Sequence, residues 1–89
     1  MYSIEYRPFP EALRGAVFGL IYGDSNILID STQSPERQEI TLRHELAHLV
    51  LNNRDSDKSL QEIEAEADAI AATYTVVQLE TMLKRRLFK

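Results

Sequence analysis

Two histidines four residues apart, His44 and His48, constrain this chain more than any other feature of its sequence. Positions four apart lie one turn above each other on the same face of an α-helix, so both imidazole rings can face one metal ion. Glu45 lies about a hundred degrees round such a helix, where its carboxylate can reach a water molecule on that metal. The pentad from His44 to His48 therefore predicts a helix that carries one side of a metal site, with Glu45 as general base.

Composition limits which other groups could complete this site. The 89 residues include two histidines and no cysteine, so a third ligand must be an aspartate or a glutamate. A net charge of −4 and a pI near 5.1 argue against a surface that binds nucleic acid directly, which would be basic. Nothing in the composition indicates direct contact with DNA.

Length and hydropathy indicate a single domain, residues 1–89. A core this small would gain stability from a bound metal or from a homodimer partner. The first ten residues lack the pattern of a signal peptide, and the longest apolar run, Ala16 to Tyr22, is too short to span a membrane. Together with the absence of cysteine, this predicts a soluble cytoplasmic protein without membrane contact.

Three short segments ahead of the pentad have the pattern of strands. Residues 2–6 alternate apolar with polar side chains before two prolines end the segment. Residues 16–22 and 27–29 flank a cluster of turn formers and predict an antiparallel hairpin with the first strand beside it. The expected fold is α+β, a small antiparallel three-stranded sheet followed by two or three helices as a minimal zincin-like core.

The first helix has a start signal and is predicted to end at residues 52–57, whereas the end of the second helix is undecided. Ser34, Pro35 and Glu36 combine a capping hydroxyl, a proline at the first helical position and an acid in the first turn. A second helix is predicted to begin near residues 57–59, with apolar residues at helical spacing from Leu60 onward. β-Branched residues at 73–77 weaken its pattern, so it either continues to the end or breaks once near Thr75.

The second helix carries acids on alternate residues, which cannot all share one face. They are Glu62, Glu64, Glu66 and Asp68. Glu64 and Asp68 are four apart, so Glu64 can bind metal while Asp68 accepts a hydrogen bond from a liganding histidine. Glu66 is the alternative ligand, and Glu62 is expected to face solvent. Two imidazoles and a carboxylate suit zinc, although manganese or iron would accept the same ligands.

The sequence leaves two points undecided. The pentad could be a chance match whose histidines merely face solvent or fill the core, but its place between predicted strands and an acidic helix favours the metal site. The group that would stabilise the tetrahedral oxyanion is not determined. The candidates, each more commonly structural, are Tyr22, Tyr74, Arg43 and Arg54.

Four sequence blocks in this order resemble the ImmA/IrrE family of zinc metallo-endopeptidases, which are gluzincin-like and carry the HExxH motif. The blocks are residues 26–30, 34–38, 40–48 and 64–71, and the resemblance covers about residues 15 to 72. It implies His44, His48 and Glu64 as ligands and Glu45 as general base, with Asp68 at a position that holds Asn or Asp. It further implies a helix-turn-helix repressor as substrate, in phage, mobile-element or stress regulation.

The chain departs from the family pattern in two places. The family usually has a helix ahead of the strands and a hydrophobic segment ending in proline after the third-ligand helix, where this chain has residues 73–77. We expect a minimal core whose substrate recognition is reduced, supplied by a partner or lost. The prediction is a zinc endopeptidase, and the alternative is a non-cleaving metal-binding regulator or toxin–antitoxin component that binds a partner protein. Glu45 favours the enzyme, because binding alone does not need a base.

Overall fold

The computed structural model describes residues 2–23, 25–51 and 57–87, which form a three-stranded sheet followed by three helices. The strands are β1 (Ser3–Arg7), β2 (Gly19–Tyr22) and β3 (Asn26–Asp30), and the helices are α1 (Pro35–Leu51), α2 (Leu60–Thr73) and α3 (Val76–Leu87). A short 3-10 turn, Glu11–Leu13, lies between β1 and β2. The predicted α+β class is confirmed.

The sheet is mixed, which corrects the prediction that it is antiparallel throughout. β3 lies in the centre, with β2 antiparallel to it as predicted. β1 runs parallel to β3, with Ile4 opposite Ile27 and Tyr6 opposite Ile29. The chain leaves β1, crosses the end of β3 and returns along β2. The alternation of side chains is the same in either direction, so the sequence pattern could not reveal this.

The second predicted strand is shorter than its apolar run. β2 begins at Gly19, and residues 16–18 belong to the segment that crosses the end of β3. There the carbonyl of Phe18 accepts a hydrogen bond of 2.9 Å from the backbone N–H of Asp30. The predicted turn between β2 and β3 includes Asp24, which lies outside the described residues.

α1 lies at the centre of the molecule, packed against the sheet on one side and against α2 and α3 on others. One apolar core joins β3, α1 and α3. It consists of Ile27, Ile29, Leu42, Leu46, Leu49, Leu79 and Leu83. Within the pentad, Leu46 and Ala47 are fully buried. The core thus fixes the rotation of α1, and with it the direction in which the two histidines point.

Side-chain caps set the helix boundaries. The backbone N–H of Arg37 donates to Ser34 Oγ at 3.2 Å, as the start signal predicts. The continuous alternative for the last helix is wrong, because α2 ends at Thr73 and α3 begins at Val76. Thr75 and Gln78 form a reciprocal cap: the Gln78 N–H donates to Thr75 Oγ1 at 3.2 Å and the Thr75 N–H to Gln78 Oε1 at 2.9 Å. α1 ends at Leu51, directly before residues 52–57, where its end is predicted; of these, residues 52–56 lie outside the described residues.

A buried carboxylate ties the crossing segment to the end of β3. Asp30 is fully buried, and its Oδ1 accepts hydrogen bonds from the backbone N–H of Phe9 at 3.2 Å and from Thr32 Oγ1 at 2.8 Å. Gln33 Nε2 donates to its Oδ2 at 3.1 Å. Burial by itself raises the pKa of this carboxyl, but the hydrogen bonds from Thr32, Gln33 and Phe9 outweigh it and lower the pKa to about 2.

Asp30 is therefore expected to make stability fall in acid. Its folded pKa of about 2 lies below the ordinary 3.8, so its contribution is complete above about pH 4 and is lost as the pH falls through about 2. Urea unfolding of wild type and Asp30→Asn between pH 2 and pH 6 measures this. The variant should be less stable at pH 6 and lose less stability in acid, whereas parallel pH profiles would contradict the assignment.

Candidate metal centre

Three side chains from two helices converge on one point. His44 and His48 lie one turn apart on α1, and their Nε2 atoms are 3.1 Å apart. Glu64 on α2 approaches both, with Oε2 at 2.9 Å from His44 Nε2 and Oε1 at 3.3 Å from His48 Nε2. These groups form the one cluster of potential metal ligands found among the described residues.

The spacing of these atoms fits a tetrahedral zinc ion. Zinc bonds of about 2.0 to 2.1 Å place neighbouring ligand atoms roughly 3.3 Å apart, close to the three observed separations. Two neutral imidazoles and one carboxylate are a common catalytic donor set, and three protein ligands leave a fourth position for water or substrate. The ligand roles of His44, His48 and Glu64 stay predictions, and the geometry is compatible with them.

Asp68, the predicted hydrogen-bond acceptor for a liganding histidine, lies beside His44. Its Oδ1 is 2.9 Å from His44 Nδ1, so a proton on Nδ1 is held there and the Nε2 lone pair faces Glu64 and His48. Asp68 follows Glu64 by one helical turn, and α2 packs against α1 through the fully buried Ala67. The structure therefore brings Asp68 to the place that its spacing predicts.

The alternative ligand, Glu66, points elsewhere. Its carboxylate pairs with the ammonium group of Lys58, and it does not belong to the cluster of potential ligands in the described part of the chain. Glu62 is exposed and accepts a hydrogen bond of 3.2 Å from Ser59 Oγ at the start of α2. Of the acids on α2, the structure favours Glu64 as the third ligand.

The electrostatics of the site suit a base beside neutral ligands. Burial raises the pKa of the Glu45 carboxyl, and Glu64 raises it further while His44 lowers it. Burial also lowers the pKa of His48, as does the neighbouring His44, against the opposite effect of Glu64 and Asp68. A raised pKa makes Glu45 a stronger base near neutral pH, and a lowered one keeps His48 free to bind metal.

A cavity of about 380 Å³ opens beside these residues, between α1 and the start of β2. Its lining residues are Ala16, Val17, Phe18, Gly19, Arg37, Ile40, Thr41, His44, Glu45 and Asp68. At Gly19 a Cβ atom would lie 2.5 Å from Thr41 Cγ2, so the absence of a side chain lets β2 run this close to α1. A peptide segment placed here would lie against Glu45 and His44.

None of the predicted oxyanion candidates in the described residues lines this cavity. Arg43 borders a neighbouring cavity of about 280 Å³ together with His44 and Asp68. Tyr74 packs against the hydrophobic core, and Tyr22 ends β2 beside the turn. Arg54 lies outside the described residues.

The sequence reasoning missed Arg37, which does line the larger cavity. Its guanidinium lies over the ring of Phe18, 4.9 Å from the ring centre. Arg37 precedes His44 by seven residues, which is about two helical turns and places both on one face of α1. The spacing alone therefore indicates that Arg37 lies on the same face as His44. Its contact with Phe18 could be found only from the fold.

A model of one peptidase family, described as the IrrE N-terminal-like domain, matches residues 5–87. No curated protein matches the chain significantly, and neither does any solved structure. The match spans all three helices and both strands of the hairpin. No helix in the described ranges is both long and apolar enough to cross a membrane.

Proposed function

Because this chain belongs to the family of IrrE N-terminal-like peptidase domains, we propose that it is a zinc-dependent endopeptidase that cleaves a protein substrate. The observation that carries the proposal is the convergence of His44, His48 and Glu64, at separations of 2.9 to 3.3 Å, beside a cavity that Glu45 lines. Family membership supports a metallopeptidase, and the donor set supports zinc as its metal.

His44, His48 and Glu64 would hold the ion. When bound, zinc supplies a Lewis acid that polarises a peptide carbonyl and makes water more acidic. The two histidines bind as neutral imidazoles, and Asp68 keeps the ring of His44 in the orientation and tautomer that binding needs. Glu64 contributes a negative charge that offsets part of the charge of the ion.

Glu45 moves the proton in this reaction. As water attacks, its oxygen bonds to the carbonyl carbon of the substrate, and Glu45 accepts one of its protons. The C–N bond then breaks, and Glu45 delivers that proton to the leaving nitrogen. The raised pKa of Glu45 suits both halves of this transfer, since the group must accept a proton and then release it.

The proposed substrate is a helix-turn-helix transcriptional repressor, in phage, mobile-element or stress regulation, and the proposed compartment is the cytoplasm. Support comes from the resemblance of the four sequence blocks to the ImmA/IrrE family. β2 is an edge of the sheet formed by the described residues, so an extended substrate segment could lie alongside it. The cavity between β2 and α1 is open to such a segment.

A regulator that binds the repressor without cutting it is the second candidate, with or without metal. The presence of Glu45 in the cavity favours cleavage. Incubating the zinc-loaded protein with candidate helix-turn-helix repressors, and measuring intact masses, separates the two functions. Cleavage gives two fragments whose masses sum to that of the repressor plus one water, and a chelator prevents their formation. A stable complex of two intact proteins would overturn the proposed peptidase.

A further inference from the structure

The geometry points to Arg37 as a specificity residue that binds an acidic side chain of the substrate, about three residues from the bond that is cut. This inference rests on the proposed function and adds the chemistry of the substrate to it. Arg37 lines the cavity that also contains Glu45 and His44.

The first observation is the position of the guanidinium. Its Cζ atom lies over the face of the Phe18 ring, 4.9 Å from the ring centre, and this cation–π contact restrains the guanidinium. Among the described residues, none forms an ion pair with Arg37 or accepts a hydrogen bond from its side chain. A guanidinium has five N–H donors, and the contact with the ring face provides none of them with an oxygen acceptor. The group is therefore held in position with its hydrogen-bonding capacity unused.

The second observation is the distribution of charge. Among the described residues that line the cavity, Arg37 is the one lysine or arginine. Both acids of the cavity, Glu45 and Asp68, lie at its His44 end, where Asp68 contacts His44 and the metal ligands converge. The charge of a zinc ion at the His44 end would be offset by Glu64 and Asp68, so Arg37 is the cation of the cavity that attracts a carboxylate of the substrate. An extended segment that carries such a carboxylate therefore has a preferred register.

The distance between Arg37 and His44 along α1 determines the position of the acidic residue in the substrate. Arg37 and His44 are seven residues apart, which corresponds to roughly 10 Å along the helix axis. An extended substrate advances about 3.3 Å per residue, so about three residues separate the scissile bond from the group facing Arg37. Arginine binds carboxylates through two parallel hydrogen bonds, which makes aspartate or glutamate the matching side chain.

The test is a binding measurement that needs no turnover. Fluorescein-labelled decapeptides of one neutral sequence carry a single Asp at each position in turn, with Asn and Lys versions of every peptide. Fluorescence anisotropy gives their affinity for zinc-loaded Glu45→Gln protein, which retains the cavity without hydrolysing the peptide. At one position the Asp peptide should bind about five- to tenfold more tightly than the Asn peptide, with a preference that shrinks as salt is added.

Variants of Arg37 in the same Glu45→Gln background distinguish binding of an acidic side chain from a purely structural role of Arg37. Arg37→Gln should remove the preference, and Arg37→Glu should reverse it to Lys over Asp by a similar factor. Arg85→Glu on α3 is the matched control, because Arg85 is exposed, lines neither cavity and changes the net charge equally. It should leave the Asp preference intact. If Arg37 merely packs on Phe18, Arg37→Glu should not reverse the preference from Asp to Lys peptides.

Equal binding of the Asp, Asn and Lys peptides at every position, or no binding of any of them at millimolar concentration, would overturn the acidic subsite. A preference that Arg85→Glu removes as completely as Arg37→Gln would overturn it as well. The proposed peptidase fails on different evidence, namely zinc-loaded wild-type protein that cleaves nothing. Cleavage without regard to acidic residues would leave the peptidase standing and remove only Arg37 as its specificity residue.

Discussion

Replacing Glu64 by alanine is expected to lower the zinc affinity of the protein by more than about a hundredfold and to abolish peptide hydrolysis. Groups that merely orient a ligand contribute about ten- to a hundredfold to metal affinity, and a direct ligand contributes more. Glu64 supplies the carboxylate that lies 2.9 Å from His44 Nε2 and 3.3 Å from His48 Nε2. Competition with a chromogenic chelator measures the affinity, and elemental analysis measures the zinc that remains bound.

Two other acids of the same helix are the controls for this prediction. Glu66→Ala loses the ion pair with Lys58 and should leave zinc affinity unchanged. Asp68→Ala should fall between them, with affinity about ten- to a hundredfold below wild type, because it loses the contact with His44 Nδ1. If Glu66→Ala lost zinc while Glu64→Ala retained it, Glu66 would be the third ligand and the site as described would be wrong.

Replacing Glu45 by glutamine is expected to lower kcat/KM by about 10² to 10⁴ while zinc affinity stays close to wild type. Glutamine keeps the size of the side chain but cannot accept a proton from water. The half-buried carboxyl with its raised pKa is thus removed without removing a ligand. Initial rates of cleavage and a parallel zinc titration measure the two quantities.

Glu39→Gln is the matched control for Glu45→Gln. Glu39 is an exposed glutamate on the same helix and lines neither cavity, so its replacement changes the net charge equally without touching the site. Its kcat/KM should remain near that of wild type. Equal losses in the two variants, or loss of zinc from Glu45→Gln, would show that Glu45 is not the proton carrier.

The helical part of the site could be predicted because its signals are local. His44, Glu45 and His48 share a helix, and the spacing of Glu64 and Asp68 depends only on one helical turn. The break between α2 and α3 also has a local signal, since Thr75 and Gln78 have the spacing of a capping box. Read for caps as well as for apolar spacing, the sequence would have favoured two helices there.

The features that the sequence did not reveal depend on the path of the chain. The direction of β1 follows from the segment that crosses the end of β3, and that crossing depends on Asp30 accepting hydrogen bonds from residues before and after it in sequence. The pairing of Arg37 with Phe18 exists only because this segment lies over the start of α1. Tertiary contacts of this kind leave no periodic pattern in either partner.

The most direct test of a zinc-dependent peptidase is a titration of metal-stripped protein with zinc, following cleavage of the repressor by intact mass. Cleavage should be absent without metal, rise with added zinc and saturate at one ion per chain, in line with a single site of two histidines and one glutamate. Manganese and iron(II), titrated in the same way, identify the metal that supports the fastest cleavage. Cleavage that is unaffected by metal removal, or no cleavage at saturating zinc, would contradict the account.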